Sequence, residues 1–274
     1  MDIKAHTVEV LGRVRDTNPL VHNITNYVVM NSSANILLAM GASPVMAHSR
    51  KEVEEMTGIA GALVLNIGTL EESWVDAMIL AGRTANKKGI PLILDPVGSG
   101  ATSYRTASVL RILENCTVSV LRGNASEVFS LIGHDEKTKG VDSSLVLSET
   151  HVDVAREMSK KLGCIVAISG QTDWVTDGER TYSIGNGHPL MTKVTGIGCG
   201  LSATVAAFCA VAGEGGLLEA VASAFGFYGI CGERAVGIAR KPGSFEVAFI
   251  DALYSAGRDE IETMLKVSMI SGRV

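Results

Sequence analysis

Six short apolar runs, each followed by Gly, Asn, Ser or Pro and then by a segment of helical spacing, set the strongest limit on how this chain folds. They fall at 20–24, 44–46, 62–67, 91–95, 117–121 and 164–169. Strands that are apolar at nearly every position, and not only at alternate ones, belong to parallel sheets covered on both faces by helices. The expected fold class is therefore α/β, with a mostly parallel central sheet and helices on both sides. Composition agrees: 46% of residues are apolar, 30 are Gly and only 5% are aromatic. That mixture suits elements packed closely in layers.

Local signals place the connections. Ser49-Arg-Lys-Glu52 reads as a capping box, and Asn26 or Thr25 as the cap of a helix running to Gly41. Gly89, ahead of Pro91, closes a helix over 70–88. Asp177-Gly178 joins 174–176 to 181–184 as an antiparallel hairpin, which gives the sheet a mixed edge. The polar, aperiodic stretch 133–148 reads as an exposed connection. Beyond Gly200 the pattern is almost wholly helical, and 217–239 is rich in Gly and Ala. Gly226, Gly229 and Gly232 would each weaken an isolated helix by up to about 1 kcal/mol, which close approach to a neighbouring backbone would offset. No linker or internal repeat divides the chain, so 1–274 reads as a single domain.

Several classes of function are excluded. The net charge is −5 and the densest basic cluster is Lys87-Lys88, too small a footprint for nucleic acid. The first fifteen residues carry charges throughout and lack the apolar core of a signal peptide. The longest uncharged stretch, 194–213, opens with the Gly-rich turn 194–200 and leaves too few apolar residues to span a membrane. Cys116, Cys164, Cys199, Cys209 and Cys231 show neither a CxxC nor His/Cys ligand spacing, and four of them sit in apolar runs as small core residues. A reducing cytoplasm is the expected setting.

In an open parallel sheet, ligands bind at the carboxyl ends of the strands. Asp95, closing an apolar strand ahead of Pro96-Val-Gly-Ser-Gly100, should stand at the sheet rim, where its oxygens suit Mg²⁺; a solvated turn explains it equally well. In Arg122-Gly-Asn-Ala-Ser-Glu127 the Arg fork matches phosphate oxygens. Glu127 pairs with Asn124 as a helix cap, and it also supplies a second carboxylate for a cation near Asp95. Ser169-Gly170 offers a hydroxyl and a tight turn to a phosphate, or is simply a turn. Thr195-Gly-Ile-Gly-Cys-Gly-Leu-Ser202 leads into a helix, where the amides around Gly198 and Gly200 would form an anion hole. Its G-x-G-x-G spacing departs from the dinucleotide fingerprint, and no P-loop motif occurs in the chain. His22-Asn-Ile-Thr-Asn26 and Met46 look like substrate contacts, although Met at a strand end is more often a core residue.

In this order, these segments resemble the hydroxyethylthiazole kinase family over nearly the whole chain. The resemblance is carried by Pro19-Leu-Val-His-Asn-Ile-Thr-Asn26, Val29-Met-Asn-Ser32, Gly41-Ala-Ser-Pro-Val-Met-Ala47, Leu65-Asn-Ile-Gly-Thr69, Leu94-Asp-Pro-Val-Gly-Ser-Gly-Ala101, Arg122-Gly-Asn-Ala-Ser-Glu127, Ser169-Gly170 and Gly196-Ile-Gly-Cys-Gly200. It implies a ribokinase-like fold and ATP-dependent phosphorylation of 4-methyl-5-(2-hydroxyethyl)thiazole in thiamine salvage. It also implies Mg²⁺ held by Asp95 and Glu127, ATP contacted by Arg122 and Ser169, and the thiazole met by Met46, Gly196 and Asn26. Cys199 stands where most ribokinase-like kinases carry Asp; it would orient the hydroxyl or take its proton, or be a small residue chosen for fit. Ser169 replaces a Thr of other members and keeps the hydroxyl. A homotrimer with sites between subunits is implied too, with 217–239 as one candidate interface. The rival readings are hydroxymethylpyrimidine kinase, the ATP-dependent dehydratase of hydrated nicotinamide nucleotides, and a non-catalytic nucleotide- or thiazole-binding protein.

Overall fold

The structure is a computed structural model and describes residues 2–132, 149–213 and 216–270. In its first half, helices α1 (Ile3–Thr17), α2 (Met30–Met40), α3 (Val53–Ile59), α4 (Glu72–Lys88), α5 (Ser103–Asn115) and α6 (Ala125–Phe129) alternate with strands β1 (Leu20–Ile24), β2 (Ser43–Met46), β3 (Ala62–Asn66), β4 (Leu92–Asp95) and β5 (Val120–Asn124). The second half holds α7 (Glu149–Leu162), β6 (Ile165–Ser169), β7 (Asp173–Thr176), β8 (Thr181–Ile184), α8 (Ile197–Ala210), α9 (Leu217–Ile238), α10 (Pro242–Ser255), α11 (Arg258–Met264) and β9 (Val267–Ile270). One sheet takes the order β2-β1-β3-β4-β5-β6-β7-β8-β9, parallel from β2 to β6 and antiparallel beyond.

The apolar runs are explained by two cores, one on each face. Because successive strand residues point to opposite faces, Ala62 and Val64 of β3 join a core with α1, α2, α8, α9 and α10, while Leu63 and Leu65 join another with α4, α5 and α7. Each fully buried aliphatic side chain contributes roughly 1.5–3 kcal/mol. Every apolar residue of the central strands therefore favours the two-sided sheet. Among the described residues, no helix is long and apolar enough to cross a membrane.

Several local expectations are corrected. Helix α3 begins at Val53 with Glu52 as its N-cap, and the Ser49 hydroxyl accepts from the Lys51 amide while its carbonyl accepts from the Glu52 and Val53 amides, so 49–52 is a turn and not a capping box. Helix α2 begins at Met30 without a side-chain cap, and Asn26 instead accepts from the Val28 amide in the turn ahead of it. The run at 117–121 pairs only from Val120, and the strand continues to Asn124; this places Arg122 inside β5, opposite Ala167. The Gly-rich segment is helical from Ile197 onward, with Gly196 as its N-cap at φ 87°. The chain beyond Gly200 also returns to the sheet as β9, a four-residue edge strand. The connection expected at 133–148 lies outside the described residues.

Three glycines of α9 meet this chain's own residues. A Cβ on Gly229 would lie 2.7 Å from the backbone of Asn186, and Gly226 and Gly232 abut the Leu265 and Met191 side chains. The Gly/Ala-rich segment is thus core from Leu218 to Gly232, and only its last turn, with Ile238 exposed, is open to a partner.

Candidate active site

The carboxyl ends of β1, β3, β4, β5 and β6 converge on the first turns of α8. Arg122 is buried within β5 and spans the gap: Nη1 donates to the Gly198 carbonyl at 2.8 Å, and Nη2 donates to Ser169 Oγ at 2.8 Å. Both residues line a cleft of about 760 Å³ together with Gly170, Asp173, Gly198 and Tyr228. At the helix start, Gly200 donates to the Gly196 carbonyl at 2.7 Å as the first amide of the ladder. The expected anion hole therefore loses Gly200, whose amide is already committed. The amides of Ile197, Gly198 and Cys199 precede the ladder and are the ones a helix start leaves for an anion. Gly200 is needed for space instead: a Cβ there would overlap Ile36 and lie 2.7 Å from the Tyr228 hydroxyl, which holds the Ile197 carbonyl at 2.8 Å.

On the other side of the α8 start lies a polar corner. Asp95 does not stand free at a rim: it is 1% exposed, and its Oδ2 accepts from Asn66 Nδ2 at 2.8 Å and from Ser202 Oγ at 2.7 Å. Arg122 Nη1 sits 3.9 Å from that oxygen. Burial pushes the Asp95 carboxyl up to about 6, with Glu127 adding to the rise; Arg122, Ser202 and Asn66 hold it back. Asn26 Nδ2 lies 3.6 Å from Cys199 Sγ. Burial first, and the Asp95 charge second, push the Cys199 thiol up to about 11, so it is a neutral thiol at pH 7. In the cleft, burial pushes Asp173 up to about 7, against the Gly170 amide and the Arg122 charge.

The remaining candidates spread more widely. Gly196 packs against α2, where a Cβ would lie 2.7 Å from Ser32 Oγ. Met46 ends the edge strand β2 opposite Asn23, half-buried and outside the lining of the cleft. His22, part of the segment read as a substrate contact, is fully buried between Thr57 Oγ1 and the Ala47 carbonyl; this is a structural role. Glu127 completes a capping box with Asn124, and its Oε1 accepts from the Gly98 amide at 2.9 Å. No group of three or more His, Cys, Asp or Glu able to hold a metal occurs among the described residues. Mg²⁺ needs no such cage, because it takes one or two carboxylates and completes its shell with water and phosphate. Asp95 fits that need on one side: Oδ2 is tied up, and Oδ1 takes no hydrogen bond from the described residues.

The site matches known proteins along its whole length. The sequence model described as the hydroxyethylthiazole kinase family matches residues 11–259. The chain belongs to the hydroxyethylthiazole kinase family. Among the family's members, the hydroxyethylthiazole kinase of Desulfotalea psychrophila is 51% identical over 95% of this chain and 94% of its own. A solved hydroxyethylthiazole kinase from Pyrococcus horikoshii OT3 superposes with a TM-score of 0.89 at 42% identity, covering 97% of this chain and 100% of that one. A ribokinase-like superfamily protein from Enterococcus faecalis shares the fold at 12% identity and a TM-score of 0.63, over 93% of this chain and 89% of that one. The architecture is thus ribokinase-like.

Asn66, Ser202, Asp173 and Tyr228 were not singled out from the sequence. Asn66 carried a usable signal, since it is a polar residue closing an apolar strand, the same pattern that marked Asp95. Tyr228 carried none, because only the packing of α9 under α8 brings its hydroxyl to the site.

Proposed function

We propose that this chain transfers the γ-phosphoryl group of ATP to the hydroxyl of 4-methyl-5-(2-hydroxyethyl)thiazole, as part of thiamine salvage. One observation carries the reading, beyond the family itself. The start of α8 separates a cleft holding Arg122 and Ser169 from a corner holding Asn26 and Cys199, so one helix terminus faces both partners of a transfer. Arg122, Ser169 and the free amides of Ile197, Gly198 and Cys199 bind phosphate oxygens. Asn26 and Cys199 orient the alcohol, with Gly196 and Met46 lining the thiazole. Phosphoryl transfer has a loose transition state, so positioning and charge compensation outweigh base strength. A neutral thiol that orients the hydroxyl is therefore sufficient. Mg²⁺, held by Asp95 with Glu127 behind it, supplies charge neutralisation on the phosphates when bound.

The working form is a cytoplasmic homotrimer. The apolar side chains Leu38 on α2 and Val247 and Tyr254 on α10 are exposed and support an interface there. Asn26 lies beside Cys199 of its own chain, so of the acceptor contacts only Met46 remains a candidate to act across a boundary. Mixed oligomers of Met46→Arg and Arg122→Ala chains then recover about a quarter of the sites by random assortment in a closed ring. No recovery in mixed oligomers means that the site is complete within one chain.

The function is tested by ADP formation with Mg-ATP and, side by side, hydroxyethylthiazole, hydroxymethylpyrimidine and a hydrated nicotinamide nucleotide. Turnover with the thiazole alcohol is expected. Turnover confined to either of the others overturns the reading.

A further inference from the structure

Asn66 closes β3 at 1% exposure, and a buried primary amide is costly unless its donors and its acceptor are met. Both sides are met here by groups of the site. Its Oδ1 accepts from the Gly68 amide at 3.0 Å and from Asn26 Nδ2 at 2.8 Å, while its Nδ2 donates to Asp95. The orientation has no freedom. A backbone N–H only donates, so the oxygen of Asn66 must face Gly68, and its NH₂ then faces Asp95. Asn26 is fixed in the same way, because the Val28 amide donates to its Oδ1 at 3.2 Å and turns its NH₂ toward Asn66 and the Cys199 sulfur. Gly68 closes the remaining space: a Cβ there would lie 2.7 Å from Asn26 Cγ and closer still to Nδ2.

We propose that Asn66 is the positioning residue for the acceptor alcohol, acting through Asn26 and the Cys199 thiol. Two backbone amides set the polarity of a short chain of side chains, Asn66 to Asn26 to Cys199, and the Asn66 amide also reaches the Cys199 thiol directly. In that chain the sulfur accepts a hydrogen bond, and the thiol proton is left for the substrate oxygen. Asn66 is absent from the cleft lining but donates to Asp95, the carboxylate assigned to Mg²⁺, so its loss reaches the metal side as well; Asn26→Ala and Gly68→Ala leave that bond in place and disturb the alcohol alone. The inference rests on the proposed phosphoryl transfer, and its test separates the two.

The experiment uses the full chain and varies alcohol and ATP independently for Asn66→Ala, Asn26→Ala, their double variant and Gly68→Ala. Asn66→Ala and Asn26→Ala are each expected to lower kcat/KM for the alcohol about 10- to 100-fold, the scale of a lost buried hydrogen bond; Asn26→Ala, which leaves the bond from Asn66 to Asp95, keeps KM for ATP within about threefold. The fraction of ATP hydrolysed without alcohol phosphorylation should rise as the hydroxyl loses its place. The double variant should fall no more than about threefold below Asn26→Ala, because coupled residues are not additive. Gly68→Ala, which displaces Asn26 and leaves Asn66 intact, should reproduce the selective alcohol defect and carries the test if Asn66→Ala fails to fold. Equal losses for alcohol and ATP in Asn26→Ala, a double variant at the product of the single effects, or a Gly68→Ala protein with wild-type alcohol kinetics each overturn the proposal. A wild-type protein that leaves the alcohol untouched overturns the function instead.

Discussion

Replacing Asp173 by Asn removes a charge that the folded chain holds at a cost. Burial raises this carboxyl from an ordinary 3.8 to about 7, and the Gly170 amide and Arg122 only partly offset that rise. The folded state thus keeps a proton that the unfolded chain has already released. Stability falls as pH climbs from about 4 to about 7 and levels off above, since the unfolded chain binds fewer protons across that window. Three pH units set a ceiling of roughly 4 kcal/mol, and partial solvent access brings the expectation to about 1–3 kcal/mol. Asn keeps the acceptor for Gly170, whose amide donates to Asp173 Oδ1 at 2.8 Å, so no hydrogen bond is lost. For a chain of this size each kcal/mol moves Tm by about 2–4 °C. Thermal melts of both proteins at pH 5 and pH 8 should show Asp173→Asn gaining several degrees on wild type at pH 8, with a smaller gap at pH 5. A gap that does not widen with pH would refute the reasoning that Asp173 is held mostly by burial.

Arg122→Ala removes two bonds to the cleft wall and a charge facing phosphate; kcat/KM for ATP should fall about 10²- to 10³-fold, a larger loss than for the alcohol, read from initial rates. Gly200→Ala forces a methyl onto Ile36 and the Tyr228 hydroxyl; chemical denaturation should show a loss of about 1–3 kcal/mol, the scale of overpacking. Cys199→Ser keeps a neutral hydroxyl-type donor where the thiol is already un-ionised, so kcat should stay within about tenfold of wild type. A rate that climbs through pH 8–9 in wild type and not in the serine variant would instead show a working thiolate.

The sequence displayed the parallel half of the sheet because those strands are buried on both faces, and two-sided burial writes itself as an unbroken apolar run. Strand β9 escaped because it is a four-residue edge with half-exposed and exposed side chains, Ser268 among them, and edge strands carry little pattern. The shift of β5 has a different cause, since that strand lies in the middle of the sheet. Arg122 and Gly123 break the apolar run while their backbone continues to pair with Ala167 and Ile168. Site residues at strand ends were legible in type but not in partner. Asp95 was marked by its place after Leu94, yet its burial beneath Asn66 and Ser202 depends on a helix that begins a hundred residues later. Gly200 looked like another amide for an anion, and only the 2.7 Å bond to Gly196 shows that the helix has already claimed it.

The central claim is that this site moves a phosphoryl group onto an alcohol oxygen. The most direct measurement follows the isotope: ATP labelled with ¹⁸O in its γ-phosphoryl group is turned over with hydroxyethylthiazole, and the products are weighed by mass spectrometry. The label is expected to leave ATP as the phosphate ester of the thiazole alcohol, in step with ADP. Label appearing only as free phosphate, with the alcohol unchanged, would contradict it.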